Sequence, residues 1–153
     1  MQIPIREAIA SDLRALLDLY KHLHADDAPL ALGRAEEVWA SLLASGLMKV
    51  FVADCGGVLV SSCTMAIIPN MTRGARPYGV IENVVTNRDW RKRGLGGAVL
   101  AEALHVAWRA GCYKVMLATG SQRPETLRFY EGAGFAKGVK TFLQASAPAL
   151  HKS

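Results

Sequence analysis

The sequence predicts an α/β chain: a mixed, mostly antiparallel sheet with helices on both faces. Three observations carry this. The 153 residues are 51% hydrophobic and 20% charged, which suits one folded domain with a substantial core. Two apolar runs, 47–54 and 58–68, flank Cys55-Gly56-Gly57, the pattern of a hairpin. Farther on, apolar runs at 78–86 and 113–118 bracket a long helical pattern. A strand–helix–strand unit implies a parallel crossover, so the sheet is mixed.

Each element has its own local cause. Residues 2–8 are read as a short first strand. Ser11 and Asp12 then precede Leu13, Leu16, Leu17, Tyr20 and Leu23. These spacings of three and four make one helical stripe, with Ser11 or Asp12 as N-cap. Ala25-Asp26-Asp27-Ala28-Pro29 breaks that helix, and a second spans about 34–45 before Gly46. After the hairpin, Pro69-Asn70 closes the returning strand, and Thr72 to Pro77 forms a basic connector to the strand at 78–86. A helix over 95–110 follows from Leu100, Ala103, Leu104, Ala107 and Trp108, and Gly111 ends it. The β-branched and apolar run 113–118 is a buried strand. Pro124 to Glu131 is a helix with Pro in its first turn. A last strand is expected over 135–143, then a frayed tail. No repeat, low-complexity tract or linker divides the chain, so residues 1–153 are read as one domain.

Lys plus Arg is 18 and Asp plus Glu is 13, a net charge of +5. Such a balance suits an anionic partner: nucleic acid, a membrane surface or a small molecule. No apolar run is long enough to span a bilayer. Met1 to Glu7 does not read as a secretory leader. No helix-turn-helix or stacking-aromatic pattern supports nucleic-acid binding. Cys55, Cys63 and Cys112 are odd in number and form no C-x-x-C. They are read as small buried hydrophobes in a reducing cytoplasm, without metal. His22 and His24 are two apart and do not share a helix face. Trp39 and Trp108 fall at apolar helix positions and are expected in the core. Trp90 is expected to pack under the basic turn.

The most informative segment is 80–97. A strand leads into a turn carrying Arg88, Arg91, Lys92 and Arg93, and then Gly94-Leu95-Gly96-Gly97 opens a helix. A helix start leaves N–H groups unpaired and carries partial positive charge. Glycines let a phosphate approach those N–H groups closely. The arrangement fits a diphosphate, though neither the P-loop nor the dinucleotide fingerprint is present.

Arg91, Gly94 and Gly96 match the pattern [QR]-x-x-G-x-[GA], and Glu82-Asn83-Val84-Val85-Thr86 precedes it. Phe129-Tyr130-Glu131-Gly132-Ala133-Gly134-Phe135 follows at the expected distance. On these motifs, and on the element order over nearly the whole chain, the sequence resembles the GNAT family of N-acetyltransferases.

The resemblance implies acetyl-coenzyme A as co-substrate and a primary amine as acceptor. It implies that the backbone of Arg93 to Gly97, with Arg91 and Lys92, holds the pyrophosphate. Val84 and Val85 would pair with the pantetheine arm as a pseudo-strand, beside a bulge that splays this strand from the one at 113–118. A backbone N–H near Val85 would polarise the thioester carbonyl. The amine would then attack directly in a ternary complex, with no covalent enzyme intermediate. Glu82 is the expected base, directly or through water, and Tyr130 the expected acid toward the thiolate. Many relatives carry Asn seven residues before this Tyr. Arg123 stands there instead, so either it meets a cofactor phosphate or it is solvated.

Family members build part of the acceptor site from the first two helices and their connection. Here that region offers Tyr20, His24, Asp26 and Asp27. The two aspartates suit a cationic amine, whereas Arg73 and Arg76 suit an acidic or phosphorylated acceptor. The strings at 81–85, 112–114 and 129–130 are also similar to the glucosamine-phosphate N-acetyltransferases of the family. A homodimer is the family expectation. A protein acetyltransferase and a non-catalytic acyl-coenzyme A module are the alternatives to a small-molecule enzyme.

Overall fold

The computed structural model describes residues 2–149. Its sheet has five strands in the order β1 (Ile5–Glu7), β2 (Met48–Cys55), β3 (Val58–Ile68), β4 (Tyr78–Thr86) and β5 (Val115–Leu117). Strands β1 to β4 pair antiparallel, β1 and β2 across a connection that carries two helices and β2 and β3 across the Gly56-Gly57 turn, while the helical crossover makes β5 parallel to β4.

Helices α1 (Leu13–Tyr20) and α2 (Leu32–Ala44) cover one face. Leu16, Leu19 and Trp39 pack there against Val50, Val52, Leu59 and Val85. Helix α3 (Leu95–Arg109) covers the other. Its Val99, Leu100, Ala103 and Ala107 meet Phe51, Val60, Cys63, Met65 and Ile81. Helix α4 (Pro124–Gly132) joins that side through Tyr130. Period-two alternation along β3 thus sends Cys63 and Met65 toward α3, and Ser62 and Thr64 toward α1.

Several expectations are corrected. No strand forms over 135–143. Strand β5 is three residues long and meets β4 only at Gly79–Ile81, which gives a sixth strand little edge to pair with. Gly134 and Gly138 take φ of +102° and +76°, turning the chain aside. Val139, Phe142 and Leu143 are therefore exposed. Helix α1 ends at Tyr20, three residues before the predicted Leu23, and α2 begins at Leu32. Trp39 is buried with its indole N–H donating to Ala10 C=O at 3.0 Å, but Trp108 is half exposed, on the solvent side of α3. Asp12 stands at the α1 N-cap, yet its carboxylate accepts from Ile9 N–H, one turn earlier. Cys63 and Cys112 are buried and Cys55 is partly so. The frayed end expected of the tail lies partly outside the described residues.

Candidate active site between β4 and β5

The site begins with a defect in β4. Ser62 pairs with Val85, but Thr64 pairs with Glu82, so Asn83 and Val84 together oppose Cys63. This is a β-bulge. Asn83 takes φ +52°, a left-handed conformation that Asn tolerates better than most residues. Past the bulge, β4 has no partner on its β5 side, because β5 pairs only with Gly79–Ile81. The two strands part there and leave the edge at 82–86 open.

Alternation sorts the two valines. Asn87 N–H donates to Val60 C=O at 2.9 Å, and Ser61 Oγ donates to Val85 C=O at 3.0 Å. The Val85 backbone therefore faces β3, and that of Val84 faces the open edge. The sequence alone does not separate them, because the bulge sets the phase.

Helix α3 starts at the end of this edge. Gly94 is its N-cap at φ +77°, and no side chain caps the first turn. Its leading N–H groups are left for an outside acceptor. A Cβ on Gly96 would come within 2.9 Å of the Phe129 ring, whereas one on Gly97 would meet open space. So Gly96 admits the α4 aromatic, and Gly97 leaves the cradle clear.

The cations of the turn divide similarly. Arg91 Nε donates to Thr86 C=O at 3.4 Å. Arg93 donates to Asp89 C=O and lies 4.7 Å from the Trp90 ring centroid. Trp90 itself packs on the α3-side core. No ion pair among the described residues involves Arg88, Arg91, Lys92 or Arg93, so the positive field is not neutralised from within.

Glu82 is exposed on the α1 face at the bulge. Tyr130 approaches from α4, its ring 4.9 Å from that of Phe129 and 6.4 Å from that of Phe135. Burial pushes the Tyr130 phenol above its ordinary value, and the nearby Cys63 and Glu82 push the same way. The hydroxyl thus keeps its proton at neutral pH. Tyr20 reaches the site too, its phenol 3.5 Å from Thr64 Oγ1. His24, Asp26 and Asp27 lie in the turn beyond α1, and no contact among the described residues ties them to Glu82. Arg123 is exposed and paired with Glu125 at 3.6 Å.

The sequence reading named Arg73 as an acceptor-side cation but missed the cluster it joins at the starts of β4 and β5. Arg73 lies 6.0 Å from the Tyr113 ring centroid, and Lys114 lies 5.5 and 5.3 Å from those of Tyr78 and Tyr113. Arg73, Gly74 and Ala75 all take positive φ, +54°, +69° and +60°, a costly turn for two non-glycine residues. Alternation puts Tyr78 on the same sheet face as Glu82. Two cations and two tyrosine rings across three segments leave no linear motif, which is why the sequence does not announce their meeting.

The profile of the acetyltransferase (GNAT) family matches residues 13–135. The chain belongs to the GNAT family. A glucosamine 6-phosphate N-acetyltransferase of Trypanosoma brucei brucei is 33% identical over 136 residues, covering 88% of this chain and 90% of that one. The solved structure "Putative acetyltransferase from Agrobacterium tumefaciens str. C58" is 43% identical with a TM-score of 0.90, covering 95% of this chain and all of that one. A glucosamine-6-phosphate N-acetyltransferase structure from Arabidopsis thaliana superposes at a TM-score of 0.82 over 97% of this chain and 99% of that one. At 22% identity it speaks for the fold alone. As a GNAT protein the chain is an acetyl-coenzyme A-dependent N-acetyltransferase. The residues present fit that co-substrate: an open strand edge for an amide-bearing arm, and an uncapped helix start with a clear glycine for phosphates. Among the described residues no cluster of His, Cys, Asp or Glu suits a metal ion, and no helix is long and apolar enough to cross a membrane.

Proposed function

We propose that the chain N-acetylates a small phosphorylated amine, with glucosamine 6-phosphate as the leading acceptor, by direct transfer in a ternary complex. The observation that carries the reading is the open edge of β4, which brings the bulge, Glu82 and Tyr130 together beside the α3 N-terminus. Bound acetyl-coenzyme A supplies an activated acetyl thioester. The first-turn N–H groups of α3, with Arg91, Lys92 and Arg93, hold the diphosphate by charge-assisted hydrogen bonds. The Val84 backbone pairs with the amide arm and offers the donor that polarises the thioester carbonyl. Val85, with its backbone turned to β3, fixes the strand from behind.

Glu82 takes a proton from the acceptor ammonium, whose ordinary pKa near 10 leaves little free amine at neutral pH. Tyr130 gives its proton to the departing thiolate. Arg123 takes no part beyond its ion pair with Glu125. Two observations favour a phosphorylated amino sugar: the relative from Trypanosoma brucei brucei, and the Arg73–Lys114 cluster on the Glu82 side of the sheet. Tyr20 borders the acceptor. His24, Asp26 and Asp27 stand at the outer rim and attract the cationic end. A homodimer and a cytoplasmic setting belong to the same reading.

A thiol-release assay over an amine panel tests it. Glucosamine 6-phosphate should exceed glucosamine by at least about tenfold in kcat/KM, and Arg73→Gln with Lys114→Gln should erase that preference. Faster turnover of peptide amines would favour a protein acetyltransferase. Acetyl-coenzyme A binding with no acceptor at all would favour the sensor alternative.

A further inference from the structure

Strand β3 carries three buried hydroxyls that the mechanism above does not use, and two of them, unlike Ser61, do not bond the β4 backbone. Ser62 and Thr64 face α1, and both are buried. Ser62 Oγ has no hydrogen-bond partner among the described residues. Leaving a buried hydroxyl unsatisfied costs its desolvation with nothing in return, so polar side chains in a strand this deep call for an account. They also flank the bulge: Ser62 pairs with Val85 and Thr64 with Glu82.

Thr64 and Glu82 are direct cross-strand neighbours on one face. Such pairs hold their Cβ atoms within about 5 Å, so a threonine hydroxyl and a glutamate carboxylate there are one rotamer change from contact. Glu82 makes no hydrogen bond or ion pair among the described residues, which leaves its carboxylate available. On the other side of Thr64 stands the Tyr20 phenol, in a loose 3.5 Å contact. A phenol is a better donor than an aliphatic alcohol. Either hydroxyl can be the donor in that contact, and with the Tyr20 phenol donating, the single Thr64 hydrogen is free to point elsewhere.

We propose that Thr64 is a positioning residue for acetyl transfer: with the Tyr20 phenol on its acceptor side, its O–H bonds the Glu82 carboxylate and holds it beside the bulge. This rests on Glu82 being the base of the proposed reaction. Tyr130 from α4 is the titratable group whose field couples to that of Glu82, and it is neutral at assay pH. Lys114, at the foot of β5, is the cation toward the same face.

The test is the pH profile of kcat for Thr64→Val, Thr64→Ser, Tyr20→Phe and Glu82→Gln, with acetyl-coenzyme A and glucosamine 6-phosphate as substrates. A hydrogen bond donated to a carboxylate favours its charged form, so removing it raises the carboxyl pKa. Thr64→Val should move the acid limb up by about half to one pH unit and lower kcat about tenfold. KM for acetyl-coenzyme A should stay within about twofold. Thr64→Ser should restore both limb and rate, which no packing role for the lost hydroxyl predicts. Tyr20→Phe should move the limb the same way by less, and it serves where Thr64→Val does not fold. An inactive Glu82→Gln with an unmoved limb in both Thr64→Val and Tyr20→Phe overturns this proposal and leaves Glu82 as base. A fully active Glu82→Gln overturns the base assignment itself, and this proposal with it.

Discussion

Tyr130 sits where burial and two neighbouring groups act in one direction. All three hold the proton on the phenol, the state a proton donor requires. Tyr130→Phe keeps the ring contacts with Phe129 and Phe135 and removes the proton alone. We expect kcat to fall about 100-fold with little change in KM for acetyl-coenzyme A, measured by steady-state thiol release. The wild-type rate should hold through the ordinary tyrosine range and decline only above it, because the shift is upward. Glycine 94 offers a different residue-scale test. Its φ of +77° strains any side chain, so Gly94→Ala should cost about 1 kcal/mol of stability and weaken acetyl-coenzyme A binding by calorimetry. Not every site residue was equally legible. Arg91, Gly94 and Gly96 stand in a contiguous motif, so the sequence displays them. Thr64 acts through a partner across a strand pair, and no linear spacing records that register.

At the scale of elements, the bulge in β4 sets which backbone groups the open edge presents. It separates Val84 from Val85 and ends the pairing with β5 after Ile81. Asn83 is the residue that makes the bulge affordable, being suited to φ +52°. Asn83→Gly should retain activity and stability within about twofold in rate. Asn83→Val should cost about 1–2 kcal/mol in denaturant unfolding and more than tenfold in kcat, since a β-branched residue resists left-handed φ. The hairpin, the crossover helix and the α3 start were all readable, because glycine turns and apolar periods are local signals. The sixth strand was not. The pattern over 135–143 suits a strand, but a strand needs a neighbour, and three residues of β5 offer too short an edge. Local propensity lost to the absence of a partner.

Across the whole molecule, one ion-pair triad ties the start of the chain to the sheet. Arg6 donates to Asp12 at 2.7 and 2.9 Å and to Asp54 at 2.9 Å. These hydrogen bonds from Arg6 hold both carboxyls below their ordinary values. The folded pKa is depressed, so the stabilisation is present above the unfolded value, near 3.9. It is lost as pH falls from there through the folded pKa. Thermal melts of the wild type should therefore drop steeply below about pH 4. Asp12→Asn should flatten that drop while lowering stability near pH 7 by about 2 kcal/mol. The exposed apolar side chains of Val139, Phe142 and Leu143 carry an expectation of the same scale. Light scattering should find a dimer, and a Phe142→Glu, Leu143→Glu double variant should shift it toward monomer. Overall fold class and the glycine-rich start of α3 were visible in the sequence because each is written in contiguous residues. The meeting of Tyr78, Tyr113 and Lys114 at the proposed acceptor end was not, because it forms only through the parallel pairing of β4 with β5.

We propose an open β4 edge that, with Glu82, transfers acetyl groups to a small phosphorylated amine. Its most direct test is the rate of free thiol release from acetyl-coenzyme A with glucosamine 6-phosphate, for wild type and Glu82→Gln side by side. The wild type should turn over and the variant should lose about 100-fold or more, with acetyl-coenzyme A binding intact in both. Equal rates in the two proteins, or no turnover by a wild type that binds acetyl-coenzyme A, would contradict it.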